Sequence, residues 1–362
     1  MSGAASYMPH AVFCKNPSGI RLKEVKTSPN YHEGAFRNLS PTPVMAEDGS
    51  FWKTMREYFK KPASRDPQGI IPSVKTDLHQ LKGEKPVIVW FGHSSYFISI
   101  DGKNILVDPV FSRNASPVSF MVKSYKGTSV YSADDFPVID LMILTHDHYD
   151  HLDYASIRKF RKKTKRYATA LGVGSHLEYW GVNAKDIVEF DWWQEEEIFS
   201  GMTLTAAPAR HFSGRGLRRG KTLWTSFALK NTRYSVYLGG DSGYDTHFKE
   251  IGKKLGPFDL AILEAGQYNK NWPHIHMMPE ETVQAAIDLG AAMLLPVHWG
   301  KFTLSLHPWD EPVKRVLKKA QELNVQVVTP RIGEPFQAGS PDPPASHWWT
   351  ELEPFKAKSH AV

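Results

Sequence analysis

Three imidazoles and the carboxylate of Asp150 fall within the six residues from His146 to His151, in Thr145-His146-Asp147-His148-Tyr149-Asp150-His151. This cluster directly follows an apolar run, Leu141-Met142-Ile143-Leu144. Imidazole and carboxylate donors suit zinc, iron or manganese. In a loop that folds back on itself, His146 and His148 can point to one ion while Asp150 and His151 point to a second. An ordinary solvated loop would not place four donors against a buried strand. Metal-bound water is acidic enough to yield hydroxide near neutral pH, so such a site needs no serine or cysteine nucleophile. The only cysteine, Cys14, lies far from the cluster and has no partner for an intramolecular disulfide.

Two metal ions need more ligands than one cluster supplies, and strand ends elsewhere offer them. Pro208-Ala209-Arg210-His211 follows a predicted strand over 202–207. Gly239-Gly240-Asp241-Ser242-Gly243 follows one over 234–238, and Pro296-Val297-His298-Trp299-Gly300 follows one over 293–295. Each places a single donor just past a strand. With His146, His148, Asp150 and His151, these donors make a set of seven.

The elements that must position these residues are legible from periodicity. Strands are expected over 87–91, 96–100, 104–107, 141–144, 166–170, 202–207, 225–229, 234–238, 260–263, 293–297 and 326–328. Helices are expected over 154–166, 246–255, 279–289 and 312–323. Hairpins come first and strand–helix alternation later, which implies an α/β protein with two interior sheets and helices outside. Residues 1–80 read as an N-terminal arm with one amphipathic helix. There Phe51, Met55 and Phe59 recur every fourth residue behind an N-cap at Asp48 or Ser50, a face expected to pack on the body or meet a membrane surface. Residues 81–338 read as the domain that carries the donor set, and 339–362 as a C-terminal strap anchored by Trp348 and Trp349.

Composition narrows the function classes. The chain has 362 residues, 41% apolar and 23% charged, with a formal charge of +6, which excludes a disordered chain. No stretch resembles a signal peptide, and the best apolar run, 291–297, is far short of the ~20 residues that span a bilayer. The chain is expected to be cytoplasmic, with peripheral membrane association through the basic amphipathic helix as the variant reading.

The order Asp108, His146-x-His148-x-Asp150-His151, His211, Asp241, His298 resembles the five motifs of the metallo-β-lactamase superfamily. The resemblance implies a four-layer αβ/βα sandwich with the metal site at the strand-end edge. It implies His146, His148 and His211 on one metal, Asp150, His151 and His298 on the other, and Asp241 between them. Asp108, in Leu106-Val107-Asp108-Pro109, matches a buried aspartate that orients ligands. Gly92-His93-Ser94-Ser95, Val107-Asp108-Pro109-Val110-Phe111-Ser112, His151-Leu152-Asp153-Tyr154, Asp191-Trp192-Trp193, Gly240-Asp241-Ser242-Gly243-Tyr244 and His298-Trp299-Gly300 are similar to N-acylphosphatidylethanolamine-hydrolysing phospholipase D and its bacterial relatives.

That resemblance implies two zinc ions, with iron or manganese as alternatives, and cleavage of a phosphodiester or phospholipid by a metal-bound hydroxide. Asp150 and His276 are the expected catalytic residues. His276, just before a predicted helix start, aligns with a histidine placed near the substrate phosphate. His93, in a turn, is expected to orient ligands or to serve structure alone. Arg215, Arg218 and Arg219, in a Gly-rich loop after His211, are candidates to grip phosphate. Seven basic residues among the nine from Arg158 to Arg166 read as a helix C-terminus complementing its dipole. A lactonase or phospho-sugar hydrolase of the same fold and a non-enzymatic metal-binding regulator are the alternatives. Nucleic acid is not an expected partner, because the stretch from His211 to His298 is too short for the domain that nuclease relatives insert. Oligomeric state is not legible.

Overall fold

Every residue of the strand Ile139–Leu144 is buried, as a strand covered on both faces requires. In the computed structural model, which describes residues 12, 14–46, 50–60, 62–83, 85–118, 120–216 and 218–354, it belongs to a seven-stranded sheet. The order is Pro335–Gln337, Val87–Trp90, Tyr96–Ile100, Lys103–Val107, Ile139–Leu144, Thr164–Ala170, Ile187–Phe190. A second seven-stranded sheet runs Glu195–Phe199, Met202–Ala207, Ser226–Asn231, Ser235–Leu238, Leu260–Glu264, Met293–Val297, Gln326–Val327.

Both sheets obey one plan: three antiparallel pairings, then three parallel ones. Parallel strands send their C-terminal ends to one edge, where open α/β sheets place their ligands. Side chains alternate along each strand. Leu141 and Ile143 face the core between the sheets, with Leu204, Phe227, Ile262 and Leu295. Met142 and Leu144 turn outward to a second core containing Ile157, Phe160 and Leu177. A third core packs Ala261, Leu263 and Leu294 with residues of the helices His247–Leu255, Pro279–Asp288 and Glu311–Leu323. Helix, sheet, sheet and helix form four layers, as expected.

Most expected elements are present with ends shifted by one or two residues. The helix starting at Tyr154 is shorter than expected, ending at Phe160, and its N-cap Asp153 accepts from the amides of Ala155 and Ser156. The basic stretch that follows is committed to structure. Lys163 donates to the carbonyls of Ala133 and Phe136, Lys165 pairs with Asp140, and Arg166 pairs with Glu196.

The arm holds more structure than its irregular composition suggests, including a helix at Gly19–Thr27 with one fully buried apolar residue, Val25. Such a helix leaves almost no periodic signal. The expected amphipathic helix spans Phe51–Lys60, with Ser50 preceding it; Asp48 lies outside the described residues. Its four-residue repeat does not all pack on the body: Met55 is half-buried, whereas Phe59 is exposed together with Trp52. The strap is anchored as its tryptophans suggested, with Trp348 stacked 5.1 Å from Trp299 and packed against Trp90. Among the described residues, no helix is long and apolar enough to cross a membrane.

Candidate metal centre

Asp108 follows the strand Lys103–Val107 in the left-handed region, at φ 40°. Its carboxylate accepts from the Thr145 amide at 2.9 Å, the Thr145 hydroxyl at 2.7 Å and His151 Nδ1 at 2.8 Å. These bonds fix the root of the ligand loop and turn His151 so that Nε2 faces inward, where it has no hydrogen-bond partner. His93 and His298 also have left-handed backbones, at φ 55° and 67°. Backbone strain of this kind is held in place only by surrounding structure and gathers at functional sites. Gly240, at φ 62°, lies so close to Thr145 that a Cβ would stand 3.0 Å from the threonine Cβ. Glycine there lets the Asp241 turn approach the ligand loop.

The seven expected ligands, drawn from both sheets, converge on one place. His146, His148, His211 and Asp241 form one largely buried group able to hold an ion, His93, Asp150, His151 and His298 form another, and Asp241, Glu264, His276 and His298 form an overlapping third. In the first, His148 Nδ1 lies 3.0 Å from His146 Nε2 and 3.2 Å from His211 Nε2, close to the ~3.3 Å between two nitrogens bound to one tetrahedral zinc. His211 Nδ1 donates to the Ile275 carbonyl at 2.8 Å, leaving Nε2 free to ligate. Asp241 spans the groups: Oδ2 lies 3.7 Å from His211 Nε2, and Oδ1 lies 3.2 Å from His151 Nε2 and 3.1 Å from His298 Nδ1. His93 donates to Asp150 at 2.8 Å, a contact that fits an orienting role.

Electrostatics suit cations here. Burial, with neighbouring imidazoles, holds His146 well below the usual histidine range, and burial likewise lowers His148, His211 and His298. Desolvation opposes ionisation of Asp150 and Asp241, yet the histidines around them keep both well below the usual carboxylate range. Neutral imidazoles and ionised carboxylates are the protonation states that metal binding requires. His151 is the exception: burial opposes its charge, but Asp241, Asp150 and Asp108 outweigh it and raise its pKa. A proton on that ring occupies the nitrogen an ion would claim. The orphaned Nε2 of His151 and Oδ1 of Asp241, both buried, are the sharpest sign that these donors fit metal.

His276 lies at the rim, its ring 5.1 Å from that of His211 and 5.3 Å from that of His298. Its Nδ1 donates to Glu264 at 2.8 Å. Sequence reading missed Glu264, whose signal is an acid closing an otherwise apolar strand, Leu260–Glu264. Glu264 is fully buried and accepts from the amides of Ser242 and Met277, both at 3.1 Å. Burial raises its carboxyl, and its charge in turn lifts His276 against desolvation, so the pair's proton resides on the histidine.

Two further residues were read differently or overlooked. Arg215, expected to face substrate phosphate, is buried. Its guanidinium donates to the carbonyls of Asp147 and Leu152, at 2.9 and 2.6 Å, and lies 3.9 Å from the Tyr149 ring centroid. It braces the ligand loop from beneath, because a buried guanidinium must satisfy its donors locally. Asp147, which carried no assignment, anchors that loop to the Gly214 amide at 2.7 Å and the Thr222 hydroxyl at 3.0 Å. Arg218 and Arg219 are exposed.

The beta-lactamase superfamily domain matches residues 103–299. An uncharacterised Mycobacterium tuberculosis protein is 39% identical over 89% of this chain and 87% of its own length. The Caenorhabditis elegans protein named N-acyl-phosphatidylethanolamine-hydrolyzing phospholipase D 1 is 30% identical over 69% of this chain and 75% of its own. Among solved structures, a metallo hydrolase from Ignicoccus hospitalis superposes with a TM-score of 0.54 at 19% identity, covering 70% of this chain and 97% of that one. With the domain spanning more than half of the sequence and four packed layers around clustered histidines and aspartates, the chain belongs to the metallo-β-lactamase superfamily of metal-dependent hydrolases.

Proposed function

We propose that this chain is a di-zinc phosphodiesterase of phospholipase D type, acting on N-acylphosphatidylethanolamine or a related phosphodiester. The observation that carries the reading is Asp241, whose two carboxylate oxygens face separate histidine sets. His146, His148 and His211 would hold one ion, Asp150, His151 and His298 the other, and Asp241 both. Ions so held activate water near neutral pH and neutralise the charge on a phosphodiester's oxygens.

The protein's own groups do the rest. Asp108 and His93 keep His151 and Asp150 in their orientations. His276, kept protonated by Glu264, donates a hydrogen bond to the substrate phosphate or a proton to the departing alkoxide. Asp150, beside His151 and His298, completes the catalytic wall. Residues 81–338 form the catalytic unit, braced by the arm and the strap. The helix Phe51–Lys60 displays Trp52 and Phe59 beside Arg56 and Lys60, a composition suited to peripheral contact with an anionic membrane from the cytoplasmic side. The phospholipid reading is further supported by the nematode relative's name.

Zinc-loaded protein is expected to carry about two ions per chain by elemental analysis. It should release the alcohol from N-acylphosphatidylethanolamine and from an aryl phosphodiester, and His211→Ala should abolish both reactions. Opening of a sugar lactone with no cleavage of either diester would reject the phosphodiesterase assignment.

A further inference from the structure

Beside His211 lies a cavity of about 540 Å³ with two walls of different origin. One wall is the arm. The Phe36 amide donates to the Gly220 carbonyl at 2.8 Å, and the Asn38 amide group bonds both backbone groups of His211, at 2.7 and 3.1 Å. The other wall is the loop after His211. It closes on itself where the Gly220 amide donates to the Ser213 carbonyl at 3.0 Å. Its base is tied to the ligand loop through the Gly214 amide and Asp147. Gly214 sits at φ 145°, and a Cβ there would meet the Arg219 Cα at 3.2 Å. The position of Arg219 is thus built into a closed, anchored loop.

Arg219 differs from its basic neighbours. Arg37, across the cavity, pairs with Glu33 at 3.3 Å, Arg210 lies 3.6 Å from Asp245, and Arg215 is buried with its terminal nitrogens on backbone carbonyls. Among the described residues, no acid or other hydrogen-bond acceptor engages Arg219. Its guanidinium instead lies 4.7 Å from the Phe212 ring centroid, and that ring lies 4.6 Å from His148 and 4.8 Å from His211. One aromatic ring therefore separates an unpaired guanidinium from two candidate ligands. The planar fork of arginine matches carboxylate and phosphate geometry, while Phe36, Leu39 and Phe212 give the cavity apolar surface.

We infer that this cavity binds the substrate's substituent beyond the scissile phosphodiester, and that Arg219 favours, among related phosphodiesters, those whose substituent carries a second anionic group, a carboxylate or a phosphate, over N-acylphosphatidylethanolamine, whose substituents are uncharged. The inference rests on the phosphodiesterase reading above. The test uses the zinc-loaded protein and matched nitrophenyl phosphodiesters whose second ester is a carboxyalkyl, a phosphoalkyl or a plain alkyl chain. The wild type should favour the anionic chains by about 10- to 100-fold in kcat/KM, the range for a hydrogen bond to a charged group, with the effect mainly in KM. Comparing the two anionic esters distinguishes carboxylate from phosphate. Arg219→Gln should bring the ratio of anionic to plain ester close to one, and Arg219→Lys should restore part of it. Equal kcat/KM for all three esters in the wild type, or a preference that survives Arg219→Gln, overturns the subsite alone. Cleavage of none of them rejects the phosphodiesterase reading, and the subsite with it.

Discussion

Two buried carboxylate–imidazole pairs flank the metal-binding groups, and the same 2.8 Å contact serves opposite ends in them. Asp108 holds His151 by Nδ1, so that Nε2 is presented to the carboxylate of Asp241 without a hydrogen-bond partner. Glu264 holds His276 by Nδ1 as well, but that ring stands at the rim, outside the two groups that contain the clustered histidines and in a third donor group with Asp241, Glu264 and His298. An ion held by the first two groups would compete with the proton on His151, whereas the proton on His276 is shared with Glu264. What the second nitrogen faces decides whether a carboxylate makes its histidine a ligand or an acid.

Removing the acid is expected to have the larger effect. His276→Ala should lower kcat on an aryl phosphodiester by about 10²- to 10⁴-fold, the range for general acid–base catalysis, while the metal content stays at the wild-type value. Glu264→Gln is the finer probe. Activity that needs protonated His276 falls as pH rises through that histidine's pKa, which Glu264 raises. The alkaline fall in kcat should therefore move to lower pH in Glu264→Gln, and an unmoved pH profile would show that the pair does not tune the donor.

The orienting pair should fail in a different way. Asp108→Asn should weaken zinc binding by about 10- to 100-fold, as changes behind metal ligands do. Activity should recover partly in excess zinc, which no addition of metal achieves for His276→Ala. Chelator competition reads the affinity directly. Unchanged affinity in Asp108→Asn would erase the contrast between the two pairs.

The two pairs were unequally legible in the sequence. Asp108 stands in a dense local pattern, Leu106-Val107-Asp108-Pro109, and the ligands sit either in one cluster or immediately after apolar strands. Strand alternation and strand-end placement carried both the four layers and the convergence of ligands. Glu264 shares only part of that context: it closes an apolar strand, Leu260–Glu264, but has no neighbouring donor or motif to mark it. Its role exists only because Leu260–Glu264 ends beside the turn that carries His276 and Met277, both of which bond its carboxylate. Arg215 failed for the same reason: a loop arginine near a ligand looks solvent-facing until the ligand loop is seen folded over it. The helix Gly19–Thr27 was invisible because it buries a single apolar residue fully and has no stripe for periodicity to detect.

Lys301 is the control for both pairs: a buried cation with no carboxylate within ion-pairing distance among the described residues. Its ammonium donates to the carbonyls of Phe91 at 3.2 Å and Val110 at 2.8 Å, tying together the segments that precede His93 and follow Asp108. Burial lowers its pKa to about 7, and distant Asp153 recovers only part of that. In the unfolded chain the lysine keeps its ordinary value, so between about pH 7 and pH 10 the unfolded state binds more protons and stability rises with pH. Below pH 7 both states are protonated and the penalty of the buried charge is fully present. Lys301→Met removes this titration along with two hydrogen bonds. Its destabilisation relative to wild type should therefore be smaller at pH 7 than at pH 9, a difference of about 2 kcal/mol by urea unfolding. A destabilisation independent of pH would mean that the amine remains charged in the fold, held by the two carbonyls alone, and that burial without a carboxylate is gentler here than the contrast with Asp108 and Glu264 implies.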